Sequence, residues 1–296
     1  MDHLIVLTVS TDQTDASDNF EKILQYYGYD YHLLARGEKF MKWQWRTQKY
    51  IDGIEKYSLS SLDIIVLCDS NDLFFVDHVQ NLKNKIEKVM KKTGKDIIVG
   101  GEAMVFSSHK WKSGEKRNAI KIMNKLCPNR RSKFPNGGCI LGKRDQLLQL
   151  LRDNLVHVDD QNGYLRLFIQ NPNRFTIDFD SEIIGNVPKL IPIFMHHWGD
   201  NMIKLEKNYW DFSDREGYHA INKISKSSPS ILHFSGNYYE IYNQVGNLLP
   251  KKINFKNIPS KPLNDPVTPV IIVFVTILII IIVILLVIFF IFKPRK

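Results

Sequence analysis

The sequence predicts an α/β fold with a central, mostly parallel sheet, and three observations carry that expectation. Ile64-Ile65-Val66-Leu67-Cys68 is an apolar run of strand length that ends in two carboxylates, Asp69 and Asp72, and a second apolar run, Leu73-Phe74-Phe75, follows at once. A run of that kind suits a strand buried on both faces that delivers acidic groups to a sheet edge. The first 34 residues read strand, helix, strand, which is the grammar of a βαβ unit. A chain of 296 residues is also long enough for one well-filled α/β domain with appendages.

Each element follows from local pattern. Leu4-Ile5-Val6-Leu7-Thr8-Val9 is the first strand; it is too short for the apolar core of a signal peptide and lacks a basic start. The polar stretch 11–18 offers helix N-caps, Phe20, Ile23, Leu24 and Tyr27 recur at helical spacing, and Gly28 supplies the stop. Residues 29–34 form the second strand. Residues 42–57 form a helix with Tyr50, Ile54 and Tyr57 on one side and Gln48-Lys49 near its start. After the central strand come an amphipathic helix over 79–90, a strand over 96–101, and a Lys-rich loop with a helical piece over 107–127. In 134–142 adjacent glycines lead into an apolar strand, which points to a close backbone approach, a bulge or a turn. A helix over 146–152 precedes Asp159-Asp160-Gln161, a carboxylate pair opening a segment to Ile169 that suits either helix capping or a site. Short strands are expected at 175–179, 191–195 and 231–234, the last carrying His233.

Composition narrows the class. The formal charge of +9 includes Lys293, Arg295 and Lys296 at the far end; the rest is spread out and reads as solvated faces, with a basic surface facing phosphates or anionic lipid as the alternative. No zinc-finger spacing or other nucleic-acid module is present, so no nucleic-acid partner is expected. Cys68, Cys127 and Cys139 are odd in number without repeated spacing, which fits reduced thiols in a cytosol-facing domain rather than a disulfide framework.

The C-terminal part differs. Residues 251–269 are proline-rich and read as a linker. Residues 270–292 contain no charge and one polar residue, Thr276, over 23 positions. As a helix that stretch would reach roughly 34 Å, enough for a hydrocarbon core of about 30 Å. The expected organisation is a catalytic domain over 1–250, a linker over 251–269, a transmembrane helix over 270–292 and a basic tail over 293–296. That is a single-pass protein anchored by its C-terminal helix, with the catalytic domain facing the cytosol. Lysines and arginine lie on both sides of the span, so charge bias does not set the orientation.

Asp69, Asp72 and His233 form the constellation that carries chemistry. Placed at strand ends, two carboxylates and an imidazole would converge on the crevice where open parallel sheets bind ligands. Carboxylates brought together need a cation between them or a shared proton. An oxygen-rich set favours Mn²⁺ or Mg²⁺. A divalent ion there could hold a diphosphate and neutralise it as it leaves, the central demand of glycosyl transfer from a nucleotide sugar.

From about Leu4 to Pro250 the chain resembles the glycosyltransferase domain of the procollagen lysyl hydroxylase family, and more loosely the collagen galactosyltransferases. The landmarks stand in order: Leu4 to Val9, Gln48-Lys49, Asp69-Ser70-Asn71-Asp72 as an Asp-x-x-Asp motif, Asn136-Gly137-Gly138, Asp159-Asp160-Gln161, residues 178–183, and His233 with Gly236-Asn237 and Val245-Gly246-Asn247. The resemblance implies a nucleotide-sugar glycosyltransferase (GT-A-like) fold and transfer of glucose or galactose from a UDP-sugar to a protein or glycan acceptor, such as hydroxylysine of collagen-like chains. It implies Asp69, Asp72 and His233 as manganese ligands and Lys49 as a contact to the donor phosphates. Asn136, Gly137 and Gly138 would lie along the donor sugar, and Asp159 and Asp160 near the sugar and acceptor. Gly236 and Asn237 would touch the diphosphate. Asn71 would sit beside the nucleobase, where the family carries an aromatic residue to stack on uracil. The family's acidic run is shortened here to Asp159-Asp160, its acceptor-side Trp is replaced around Phe106, and its iron-dependent hydroxylase domain gives way to the linker and apolar segment. Those departures define the alternative, a catalytically inactive binding module on a membrane. A haloacid-dehalogenase-like phosphatase is disfavoured because its aspartates stand two apart, whereas Asp69 and Asp72 stand three apart.

Overall fold

A computed structural model describes residues 3–105, 114–187, 210–213, 219–223, 225–234 and 239–259. In chain order the elements are β1 (Leu4–Val9), α1 (Asp15–Tyr26), β2 (Asp30–Leu34), α2 (Trp43–Tyr57), β3 (Ile64–Cys68), β4 (Leu73–Phe75), α3 (Val79–Thr93) and β5 (Ile97–Glu102). There follow α4 (Glu115–Leu126), β6 (Phe134–Lys143), α5 (Arg144–Asn154), α6 (Asp160–Gln170), β7 (Thr176–Asp178), β8 (Ile184–Asn186), β9 (Trp210–Ser213), β10 (His219–Asn222), β11 (Ile231–His233) and α7 (Tyr239–Gly246).

Local chemistry explains the boundaries. Thr14 caps α1 through a reciprocal pair with Ser17, and Gly28, at φ +77, turns the chain out of the helix where a side chain would be strained. The expected strand at 191–195, Gly236-Asn237, Phe106 and the apolar segment 270–292 all lie outside the described residues. Among the described residues no helix is long and apolar enough to cross a membrane.

The central sheet has the order β2-β1-β3-β6-β5-β7. β1 runs parallel to β2 and β3, and β5 parallel to β7, but β6 is antiparallel to both of its neighbours. The sheet is therefore mixed, which corrects the parallel expectation at one strand. A strand buried on both faces shows the same apolar run in either direction, so its sequence does not reveal which way it runs. Between Val99 and Gly100 the β5–β6 register shifts, so Gly137, Gly138 and Cys139 have no partner on β5, and the glycine pair lies in a bulge. A second sheet, β4-β11-β8, stands beside the first.

Side-chain alternation divides the core between the two faces. Leu4 and Val6 of β1 and Ile64 and Val66 of β3 pack with α1, α3, α7 and the second sheet. Ile5, Leu7, Ile65 and Leu67 pack with α2, α4, α5 and α6. The result is helices on both sides of the central sheet. Cys68, Cys127 and Cys139 are buried free thiols, and burial pushes the Cys68 and Cys139 thiols well up.

The compact unit runs to Ile258, past the boundary expected at 250. The extra residues are strapped down by two asparagines that imitate a strand partner. Asn19 Nδ2 donates to the Lys256 carbonyl at 2.7 Å and its Oδ1 accepts from Lys256 N at 2.9 Å. Asn243 does the same to Ile258, at 2.8 Å in each direction. Ile253 is buried, and the Phe255 ring packs 5.6 Å from those of Phe74 and Tyr242. A chain ended after residue 249 is therefore expected to be about 3–5 kcal/mol less stable in urea unfolding than one ended after residue 258. Equal stability would mean that the strap contributes nothing.

Candidate active site

β3 is buried along its whole length, and the chain leaves it at Asp69, whose N–H donates to the Gly138 carbonyl at 2.9 Å. It turns through buried Ser70 and exposed Asn71 to Asp72 at the amino end of β4. β4 pairs antiparallel with β11, so Leu73 faces His233 and the Asp72 carbonyl accepts from Phe234 N at 2.7 Å. Asp69 and His233 thus stand at carboxyl ends of strands, as expected, whereas Asp72 stands at an amino end. Its carboxylate reaches the same place because the intervening turn reverses the chain.

One ligand atom from each of Asp69, Asp72 and His233 lies within 4.8 Å of the others. His233 Nε2 is 3.6 Å from Asp72 Oδ1, and its Nδ1 is 2.7 Å from Asn186 Oδ1. The set fits a divalent ion that takes oxygen and imidazole ligands, because one carboxylate oxygen from each aspartate and an imidazole nitrogen converge while Nδ1 is held by Asn186. Burial alone would lower the His233 pKa, but the Asp72 carboxylate, with Asp69 and Glu102 behind it, raises it above its ordinary value. Desolvation and the neighbouring Asp72 push Asp69 up to about 6, against the pull of Arg46 and His233.

Arg46, on α2, joins this cluster to a third carboxylate. One guanidinium nitrogen is 2.6 Å from Asp69 Oδ1; the other bonds Asp160 and reaches the Gly137 carbonyl at 3.3 Å. The guanidinium lies 4.6 Å over the Trp43 ring, and the side chain is 91 % buried. Burial opposes its charge, but Asp160 and Asp69 outweigh that and hold it protonated.

The carboxylate pair at the start of α6 divides its tasks. Asp159 caps the helix, accepting from Asn162 N at 2.8 Å, while Asp160 faces Arg46. Asn136 is buried; its Nδ2 donates to Glu102 at 3.1 Å and its Oδ1 accepts from Gly138 N at 2.8 Å. The Gln161 amide donates to the other Glu102 oxygen, which ties the glycine bulge to α6. Gly137 faces Asp160: a Cβ there would lie 3.5 Å from Asp160 Oδ1.

Lys49 and Asn71 make their contacts outside the carboxylate cluster. The Lys49 ammonium is 2.7 Å from Glu38 and lies over the Trp45 ring, so it is not brought to the carboxylate cluster. Arg46, three residues earlier on the same helix, is the cation that enters, because its helical phase points between β3 and α6. Asn71 is exposed, and its Oδ1 accepts from the Thr14 hydroxyl at 3.2 Å, which ties the acidic turn to the N-terminus of α1. Arg46, Glu102 and Asn186 were not legible as site residues, and Gln161 stood only within the Asp159-Asp160-Gln161 landmark. Of the first three, Arg46 alone carried a signal, a cation among aromatic residues at the start of a helix that follows a sheet strand.

The family model for the PLOD GT domain matches residues 1–258. Among solved structures, a glycosyltransferase involved in the glycosylation of the major capsid of PBCV-1 is 14 % identical, with 79 % of this chain and 93 % of that chain covered and a TM-score of 0.41. The 4-diphosphocytidyl-2C-methyl-D-erythritol synthase of Anaerococcus prevotii DSM 20548 is 8 % identical, with 60 % and 86 % covered and a TM-score of 0.35. No curated protein matches the chain.

Proposed function

The chain belongs to the family of PLOD glycosyltransferase domains and is a glycosyltransferase, and from that premise we propose that it transfers glucose or galactose from a UDP-sugar to a protein acceptor, with hydroxylysine of collagen-like chains as the acceptor class to test first. The observation that carries the reading is the convergence of Asp69, Asp72 and His233 within 4.8 Å. These three residues would hold Mn²⁺, or Mg²⁺, which when bound would neutralise the charge gathering on the departing diphosphate.

The chain's own groups supply the rest. Arg46 adds a buried, permanently charged fork beside the metal ligands, and the donor-phosphate contact is proposed for it together with Lys49. Asn136, Gly137 and Gly138 are proposed along the donor sugar, with Gly137 as the position where bare backbone lets it approach closely. Asp160, held in direction by Arg46, places a carboxylate where it can orient an acceptor hydroxyl or stabilise positive charge at the sugar carbon. Asp159 keeps the first turn of α6 in place and thereby aims Asp160. Gly236 and Asn237 are proposed as diphosphate contacts, and Asn71 offers an amide in place of a stacking ring beside the nucleobase. Residues 270–292 would anchor the enzyme in a membrane with the catalytic unit on the cytosolic side, which protease protection of that unit in intact membranes tests.

Hydrolysis of UDP-glucose and UDP-galactose with and without Mn²⁺ tests the activity directly. Metal-dependent release of UDP from one of them is expected. No turnover, together with a melting temperature unmoved by metal and nucleotide, would overturn the proposal.

A further inference from the structure

The geometry points to Asn186 and Gly138 as positioning residues that together aim the imidazole of His233 at the two carboxylates. The inference rests on the metal-site reading above and deepens it.

His233 ends β11 and pairs in parallel register with Asn186, which ends β8. The Asn186 amide is itself oriented, because its Nδ2 donates to the Gly101 carbonyl at 2.6 Å. That leaves Oδ1 facing the ring, 2.7 Å from Nδ1. An amide oxygen only accepts, so the bond requires the ring proton to sit on Nδ1. Nε2 is then the nitrogen turned toward Asp72.

The Cε1–Nε2 edge of the ring is set by Gly138. A Cβ at that position would lie 2.3 Å from His233 Cε1 and 2.6 Å from Nε2, closer than real side chains come. The backbone at 138 has little room to yield. Its N–H is held by Asn136 Oδ1 at 2.8 Å and its carbonyl by Asp69 N at 2.9 Å. With the ring 95 % buried, a side chain at 138 would have to displace the imidazole. The resemblance assigned this glycine to the donor sugar; the contact here is with the third ligand. The same carbonyl that holds Asp69 belongs to the residue that seats His233, so two of the three ligands are referenced to one peptide.

The test is Mn²⁺ affinity of the 296-residue chain in detergent, measured without donor by calorimetry or by the loss of free-Mn²⁺ paramagnetic signal, alongside the metal-free melting temperature. Asn186→Leu removes the acceptor and is expected to weaken Mn²⁺ binding about 10–100-fold. Asn186→Asp keeps an acceptor for Nδ1 but loses the donor to Gly101, so it should lower the melting temperature while Mn²⁺ affinity stays within about threefold of wild type. Gly138→Ala is expected to weaken binding as Asn186→Leu does. A purely structural role would move stability and affinity together in both Asn186 variants. Wild-type affinity in Asn186→Leu, or equal losses in the Leu and Asp variants, would overturn the positioning inference alone. Absence of Mn²⁺ binding by the wild-type chain would overturn the metal reading with it. The Asn186 pair decides the matter however well Gly138→Ala folds.

Discussion

Asp72→Asn is expected to lower sugar transfer by roughly 10³-fold, which is what several kcal/mol of lost charge stabilisation amounts to at about 1.4 kcal/mol per tenfold. The substitution keeps size and shape but removes the charge that stands with Asp69 and His233 in the cluster. It also relieves repulsion between two carboxylates, so the metal-free fold should keep its stability to within about 1 kcal/mol. The stabilisation that Mn²⁺ gives the wild-type chain should vanish with the activity, since a ligand stabilises only the state that binds it. Activity and melting temperature, each read with and without Mn²⁺, check this, and wild-type turnover in the variant would show that the ligand set is wrong. His233→Ala should behave alike, with a further loss of packing.

The second large effect falls on stability. Arg46→Met should cost about 3–5 kcal/mol, because it removes one cation from between two carboxylates and leaves both without their partner. The Asp160 side chain is 91 % buried, so solvent does little to replace the guanidinium. For a domain of this size that corresponds to a fall of about 10 °C in melting temperature. Adding Asp160→Asn should return part of the loss, since the uncompensated charge rather than the missing contact is what destabilises. A single variant within 1 kcal/mol of wild type would mean that water or a rearranged lysine reaches the site. Transfer activity should fall in both variants, which separates the stability role of Arg46 from its place in the site.

These two residues differ in how they could be found. Asp72 was legible because the motif is local: two apolar runs with carboxylates in the turn between them describe a strand end wherever they occur. The same holds for β1, α1 and β2, where spacing of Phe20, Ile23 and Leu24 and the stop at Gly28 are short-range facts. Arg46 was not legible in this sense. Which residue of α2 enters the site depends on the helix's rotation about its axis, and that is set by how Tyr50, Ile51 and Ile54 pack against β1 and β3. The Gln48-Lys49 landmark drew attention to the helix from which Arg46 enters the carboxylate cluster, and to a different residue on it.

The direction of β6 was hidden for a related reason. A run such as Cys139-Ile140-Leu141 is equally apolar read from either end, and only pairing with β3 on one side and β5 on the other decides it. That direction matters, since it carries Gly138 past Asp69 and under His233.

By itself, then, the sequence determined the α/β class, the acidic turn after the central strand, and the resemblance of the ordered landmarks to one glycosyltransferase family. Those are properties of neighbours along the chain, where burial periodicity and turn chemistry act over a few residues. The tertiary structure alone decided that Asp72 meets His233 across antiparallel β4 and β11, that Arg46 rather than Lys49 joins Asp69 to Asp160, and that Asn186 and Gly138 seat the imidazole. Each of those depends on strand register, helix rotation and close packing between segments far apart in the chain, which no local pattern encodes.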